Sequence, residues 1–366
     1  MRVVVKIGTS SLTDETGRLD QVLMAKLAGE VAAARADGHQ VVMVSSGAIS
    51  AGLPPLAGIL GGRRPTDLPT LQAVAAVGQH RLMATWDVAF SAHGLVPGQV
   101  LLAPLDFGHR QQYLHARQTL ERLLTLGVVP VVNENDAIAD DEIRFGDNDR
   151  LAALVAHLLR AEQMVLLTDT AGILTADPRV DRGASLIEEI LEIDASLERV
   201  ATASGSERGS GGMASKLAAA KIAAWSGVRA VIASAEREGV LAGALAGVPG
   251  IGTVVRAHDR RLPARKLWIA FALPSAGTVV VDAGAREALV DRGRSLLPAG
   301  VRAVVGAFEA GEAVEIASEE GGVFAKGLVR HPATTVGAWA GRRTADLPAD
   351  LDHEIVHRDD LVVMPG

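Results

Sequence analysis

Seven short apolar runs punctuate the first 255 residues: Arg2 to Ile7, Val41 to Val44, Val96 to Leu102, Val128 to Val132, Met164 to Leu167, Arg229 to Ser234 and Thr253 to Val255. Most show no apolar–polar alternation, as expected of strands buried on both faces. Helical patterns fall between them, over Asp20 to Asp37, Thr70 to His93, Phe107 to Leu126 and the stretch after Gly146-Asp147-Asn148-Asp149. Asp20 is placed to cap the first of these, and Gly38 and Gly127 are placed to end two of them. Such an alternation predicts an α/β fold, with a mostly parallel central sheet covered by helices on both faces. In sheets of this kind, ligands bind beyond the carboxyl ends of the strands. The polar clusters of this chain fall there, each directly after a strand.

Lys6 is the penultimate residue of the first apolar run, just before Gly8-Thr9-Ser10-Ser11. Free backbone amides beside an ammonium suit a phosphate; a strand-end lysine that reaches solvent is the equal alternative. Ser45-Ser46-Gly47-Ala48 repeats the strand-to-small-residue turn, which is also what a tight connection alone requires. The fourth run leads into Asn133-Glu134-Asn135-Asp136 and then into a loop carrying Asp140, Asp141, Glu142, Asp147 and Asp149. Helix capping accounts for one or two of these acids. The density of the rest points to a cation, a metal or an ammonium-bearing substrate; a solvated acidic loop with a cap is the alternative. Residues 203–212, ASGSERGSGG, precede Met213-Ala214-Ser215-Lys216 and a helix. The Walker A spacing is absent, but a glycine loop, a helix N-terminus and a lysine in its first turn make an anion site. A surface loop before an ordinary helix is the alternative.

Composition narrows the chemistry. The 366 residues contain no cysteine, so disulfides, thiolate catalysis and Cys-type zinc sites are excluded. Aromatics make up 3%, leaving few platforms for stacking bases, and the net charge of −7 gives no reason to expect nucleic acid or an anionic membrane. The start runs straight into a strand and no transmembrane run is visible, so a cytoplasmic protein is expected. Arg256 to Arg265 is a polar, basic connector that marks the domain boundary. From Ser275 to Gly366 short strands separated by glycine turns, with one helix over Ala283 to Arg292, predict a small β-rich domain. The domain expectation is therefore 1–255, a linker over 256–274, and 275–366.

Two lysines near Gly/Ser loops, an acidic substrate loop and no cysteine point to phosphoryl transfer, where catalysis is mostly positioning and charge neutralisation. Taken in order, Val5-Lys6-Ile7-Gly8-Thr9-Ser10, Ser45-Ser46-Gly47-Ala48-Ile49, Asn133-Glu134-Asn135-Asp136, Gly146-Asp147-Asn148-Asp149, Thr168-Asp169 and Gly211-Gly212-Met213-Ala214-Ser215-Lys216 resemble the glutamate 5-kinase family. That resemblance implies an amino acid kinase-like three-layer sandwich followed by a PUA-like domain. It also implies ATP-dependent phosphorylation of the side-chain carboxylate of L-glutamate, the first step towards proline. Carried over, Lys6 and Lys216 neutralise the transferring group and Asp149 holds them in place. Ser46, Asp136 and Asn148 bind glutamate. Lys6, Gly8, Thr168, Asp169, Ser210, Gly211, Gly212, Met213, Ala214, Ser215 and Lys216 line the nucleotide.

ATP with Mg²⁺, proline as a feedback inhibitor and a homo-oligomer follow from the same resemblance; the protein ligands of the metal do not. The family pattern has Thr where Ser210 and Ser215 stand, and Asn where His115 stands; Gln118 lies in the same departing segment. An RNA-binding role for the C-terminal domain is the rival from another class. Its nine Lys and Arg against fourteen Asp and Glu, a balance of −5, argue against it. A kinase for aspartate, N-acetylglutamate or a nucleoside monophosphate is the nearer rival.

Overall fold

The computed structural model describes the chain except for residues 15–16, 108, 139–147, 177–180, 182, 195–196, 199–211, 260, 349–351 and 365–366. It divides into two compact units, Met1–Arg261 and Leu262–Gly366. In the first, β1 (Arg2–Ile7), β2 (Gln40–Ser45), β3 (Pro97–Leu102), β4 (Val129–Glu134), β5 (Gln163–Thr168), β6 (Glu189–Ile190), β7 (Arg229–Ser234) and β8 (Thr253–Val255) form one sheet, in the order β3-β4-β2-β1-β5-β7-β8-β6. Every pairing is parallel except β7 with β8. The chain builds outward from β1 in one direction through β2 and then in the other through β5, so the carboxyl end of β1 is a topological switch point.

The helices of this unit are α1 (Thr9–Leu12), α2 (Gln21–Ala36), α3 (Ala48–Leu56), α4 (Leu68–Ser91), α5 (Arg110–Thr125), α6 (Asn148–Leu158), α7 (Met213–Trp225) and α8 (Val240–Ala246). Their apolar stripes explain the layers. Leu23, Met24, Leu27, Val31 and Ala34 of α2 recur at helical spacing and are buried. They join Val3, Val5, Ile7, Val41 and Met43 from one face of the sheet, with Trp86 and Phe90 of α4 stacked 5.4 Å apart in the same core. On the strands, alternate residues such as Val4, Val42 and Val132 are equally buried. Helix α6 packs against β1 and against α7. Both faces are thus covered, which is why the strands read as continuous apolar runs.

Local signals were followed closely in places. The Asp20 carboxylate accepts from the amides of Val22 and Leu23 at 3.0 Å, and Gly38 turns the chain at φ +83° after α2. Helix α4 begins at Leu68, two residues before the predicted start, because Asp67 caps it by accepting from the Thr70 amide and Pro69 suits its first turn. Gly8 to Ser11, expected as a phosphate loop, is mostly one helical turn, α1. The predicted helix at Phe107 begins only at Arg110, after a 3₁₀ turn over Pro104–Phe107. Helix α3 was not anticipated, and its Pro54 and Pro55 explain why.

Helices α3 and α4 touch through glycine. A Cβ on Gly78 would lie 1.7 Å from the Ala48 carbonyl oxygen, and one on Gly52 would lie 2.0 Å from that of Val74. Gly78→Ala must force the helices apart, so we expect destabilisation at or above the 1–3 kcal/mol, roughly, of an overpacked core. Helix α3 starts next to Ser46, so activity should fall with it. Denaturant unfolding with a parallel kinase assay checks this; wild-type stability in the variant would refute the close approach.

The second unit holds a five-stranded sheet in the order β10-β9-β11-β12-β13, made of β9 (Gly277–Val281), β10 (Val301–Gly306), β11 (Ala313–Ser318), β12 (Val323–Val329) and β13 (Val356–Val363). It also holds α9 (Ala264–Leu267), α10 (Ala283–Val290) and α11 (Ala333–Trp339). Strand β13 and helix α11 were not predicted. Within the expected connector, residues 264–272 are helical: Leu267, Ile269 and Ala270 are buried, the last two beside Val362, and Arg265 pairs with Asp360 at 2.6 Å. No helix among the described residues is long and apolar enough to cross a membrane.

Candidate active site

The carboxyl ends of β1, β2, β4 and β5 deliver the polar residues. Lys6 is the penultimate residue of β1 and only 2% exposed. Gly8 follows it, and a Cβ there would sit 3.3 Å from the Lys6 ammonium. Any side chain at position 8 would therefore crowd the cation and whatever it binds. Ser46 follows β2, its amide bonded to the Ile7 carbonyl at 3.2 Å, and Gly47 at φ +104° turns the chain into α3. Asn148 and Asp149 open α6, and Ser215 and Lys216 lie in the first turn of α7.

These elements converge on Asp149, which is 1% exposed. Its Oδ1 is 2.6 Å from the Lys6 ammonium, and its Oδ2 is 3.4 Å from that of Lys216. The Ser215 hydroxyl also donates to Oδ2, at 3.1 Å. Burial alone would raise this carboxyl, but the two lysines and the Ser215 hydroxyl outweigh it and hold Asp149 below the ordinary carboxylate range. Two buried cations thus meet on one carboxylate. At the N-terminus of α7, Gly212 provides no side-chain cap, so backbone amides remain for an anion.

A second group lies beside it. Asn148 donates through Nδ2 to the Ser46 hydroxyl at 3.1 Å and accepts through Oδ1 from the Glu134 amide at 3.1 Å. That ties the ends of β2, β4 and α6 together. Asn133 donates to Gln79 Oε1 of α4 at 2.7 Å. Asp136 begins a 3₁₀ turn, Asp136–Ile138, that packs on α4. Its Oδ1 is buried with no partner among the described residues, and burial pushes its carboxyl up to about 6. Gln79 Nε2 is likewise buried without a partner. A carboxylate oxygen and an amide donor left unpaired is costly unless a ligand completes them. Gln79 escaped the sequence reading because it sits in the middle of α4, away from every loop motif; only the pairing with Asn133 reveals it. Trp86 was missed in the same way. Its indole donates to the Ser45 hydroxyl at 2.9 Å and fixes the turn before Ser46.

Of the other predicted residues, Thr168 ends β5 and Asp169 follows it, joined by a 2.9 Å hydrogen bond from the threonine hydroxyl. Met213 and Ala214 open α7. Ser210, Gly211 and the acids Asp140, Asp141, Glu142 and Asp147 lie outside the described residues. His115 and Gln118 are exposed on α5. Among the described residues no group of three or more His, Asp or Glu is placed to hold a metal ion. What the donor set fits is phosphate, through two buried lysines, a glycine approach and a helix N-terminus.

Residues 1–234 match the amino acid kinase family, and residues 277–349 match the PUA domain. Curated relatives align over nearly the whole chain. A glutamate 5-kinase of Myxococcus xanthus is 47% identical over 99% of this chain and 96% of that protein. One from Pelobacter propionicus is 44% identical over 99% of this chain and 97% of the relative. Among solved structures, a UMP kinase from Bacillus anthracis superposes with a TM-score of 0.48 at 14% identity, covering 70% of this chain and 95% of that one.

Proposed function

This chain belongs to the glutamate 5-kinase family, an amino acid kinase domain followed by a PUA domain, and from that premise we propose how its site works. The enzyme transfers the γ-phosphoryl group of ATP to the side-chain carboxylate of L-glutamate, giving L-glutamyl 5-phosphate and ADP, the first step of proline synthesis. The observation that carries the mechanism is the Lys6–Asp149–Lys216 cluster at the switch point of the sheet.

The nucleophile is a carboxylate, ionised at neutral pH because glutamate titrates near 4.3. One of its oxygens bonds to the γ-phosphorus while the bond from that phosphorus to the β,γ-bridging oxygen breaks, and ADP leaves with the electron pair. No proton moves, so no general base is required. The obstacle is that two anions must meet. Lys6 and Lys216 offset that repulsion, Asp149 fixes their ammonium groups, and the α7 amides with Ser215 and Gly212 receive phosphate oxygens. Ser210, Gly211, Met213 and Ala214, with Gly8, Thr168 and Asp169, complete the proposed nucleotide site. Mg²⁺ would come with the nucleotide and would offset the charge of its phosphates.

At the other end, Asp136 takes the glutamate ammonium, while Ser46, Asn148 and the unpaired Gln79 amide offer donors to its α-carboxylate. Proline carries the same α-carboxylate and a cationic nitrogen but no side-chain carboxylate, so it fits as an end-product inhibitor that competes with glutamate. A homo-oligomer and a cytoplasmic location complete the proposal; both rest on the family resemblance. The test is a substrate profile: ADP release with glutamate, aspartate, N-acetylglutamate and UMP at matched concentrations. Glutamate should dominate, and a preference for another acceptor would overturn the assignment.

The Asp136 carboxyl sets a pH dependence. It pairs with an ammonium only when ionised, and in the free enzyme it ionises near 6. As pH falls through that value, kcat/KM for glutamate should drop about tenfold per unit. Asp136→Asn should raise the KM for glutamate and abolish that inflection. A variant that keeps both the affinity and the pH profile would place the ammonium elsewhere.

A further inference from the structure

The second unit contains a cavity of about 720 Å³ that no step of the kinase reaction uses. It lies between helix α10, the segment from Arg294 to Gly300 and the start of β13. Its walls are fixed by backbone bonds on three sides. The Arg294 amide donates to the Ala288 carbonyl at 3.0 Å, the Asp282 amide to that of Gly300 at 3.0 Å, and Leu296 exchanges bonds with Ile355 and Val356 at 2.8 Å. Gly300 permits the closeness, since a Cβ there would lie 2.4 Å from that of Ala285. The site is therefore preformed, and its volume is that of a small-molecule pocket.

Its lining is divided in character. Ala285, Ala288, Leu289, Leu296 and Leu297 supply an apolar surface, and Leu297 is left 42% exposed. The two acids of the lining are already engaged: Asp282 accepts from the Ala285 amide and pairs with Arg302 at 2.7 Å, and Glu354 pairs with Arg330 at 3.3 Å. The arginines are not. The Arg294 guanidinium has no partner among the described residues, and Arg358 has only Asp359 at 3.9 Å, next to it in sequence. Guanidinium groups left open beside an apolar wall match a carboxylate or phosphate on an apolar body.

We propose that this pocket binds a small amphipathic anion, with Arg294 and Arg358 holding its acidic group and Leu297 and Leu289 covering its apolar part. A polynucleotide fits less well, because residues 275–366 carry a balance of −5.

The probe is 8-anilinonaphthalene-1-sulfonate, titrated into the full-length protein with ADP and glutamate saturating the kinase site. Fluorescence should rise to saturation at one site per chain. The double variant Arg294→Gln/Arg358→Gln should weaken that site about tenfold or more, with kinase turnover and thermal midpoint unchanged. The uncharged N-phenyl-1-naphthylamine should bind wild type less tightly than the sulfonate, and Leu297→Glu should weaken both probes. Equal binding of the sulfonate by wild type and the arginine variant would overturn the proposal, as would equal affinity for the two probes in wild type. A single-stranded RNA oligonucleotide that bound through the same arginines, with steep salt dependence, would replace it with a nucleic-acid site.

Discussion

Lys216→Ala is expected to lower kcat by about 10²–10³-fold, the usual cost of losing one preorganised electrostatic donor, while the KM for glutamate changes little. The reason is position. The Lys216 ammonium sits in the first turn of α7, pinned by Asp149 on one side and facing the same anion site as the α7 amides. Negative charge gathers there when the carboxylate approaches and the bridging oxygen departs, so the cation acts on the transition state more than on either bound substrate. Lys6→Ala should lose a similar factor and also bind ATP less well, because Lys6 stands beside the Gly8 approach at the end of β1. Lys216→Met, which keeps the buried stem, separates charge from packing: it should be as slow as the alanine variant. Steady-state kinetics with both substrates varied decides the matter. Wild-type turnover in either Lys216 variant, or a loss confined to the KM for glutamate, would remove the lysine from the transition state.

The two halves of this site were not equally visible in the sequence. Lys6, Asp149 and Lys216 each lie beside a strand end or a helix start with small residues, and those local signals are strong. That three such separate positions meet on one carboxylate is a property of the strand order, with β1 between β2 and β5, and spacing does not encode it. Gln79 and Trp86 carried no local signal at all. They lie on a helix face and act through bonds to Asn133 and Ser45. The same distinction applies to the fold. Buried strands announced themselves as apolar runs, whereas α3, with two prolines in its last turn, and the amphipathic segment at 264–272 owe their helicity to packing that sequence pattern does not display.

Asp149→Asn should damage the fold as well as the reaction. The carboxylate lies between two ammonium groups that are themselves 2% and 5% exposed as residues. Its replacement by an amide takes from both cations the carboxylate they share, and breaking a buried pair in this way costs about 3–5 kcal/mol. The two ammonium groups also lose the carboxylate that positions them, so kcat should fall at least as far as in Lys216→Ala. Because Asp149 is held below the ordinary carboxylate range, its stabilising contribution is complete above the unfolded-state value, near 3.8, and is lost as pH falls through the folded one. The variant's stability deficit should therefore persist across neutral pH and shrink only in strong acid. A double-mutant cycle gives the sharper reading. Adding Lys216→Met to Asp149→Asn removes one of the two cations that the carboxylate served, so the pair should be less destabilised than the two single changes predict together. Denaturant unfolding of the four proteins at pH 7 measures this. Strict additivity, or a loss below about 1 kcal/mol in Asp149→Asn, would mean that the carboxylate does not hold the two lysines.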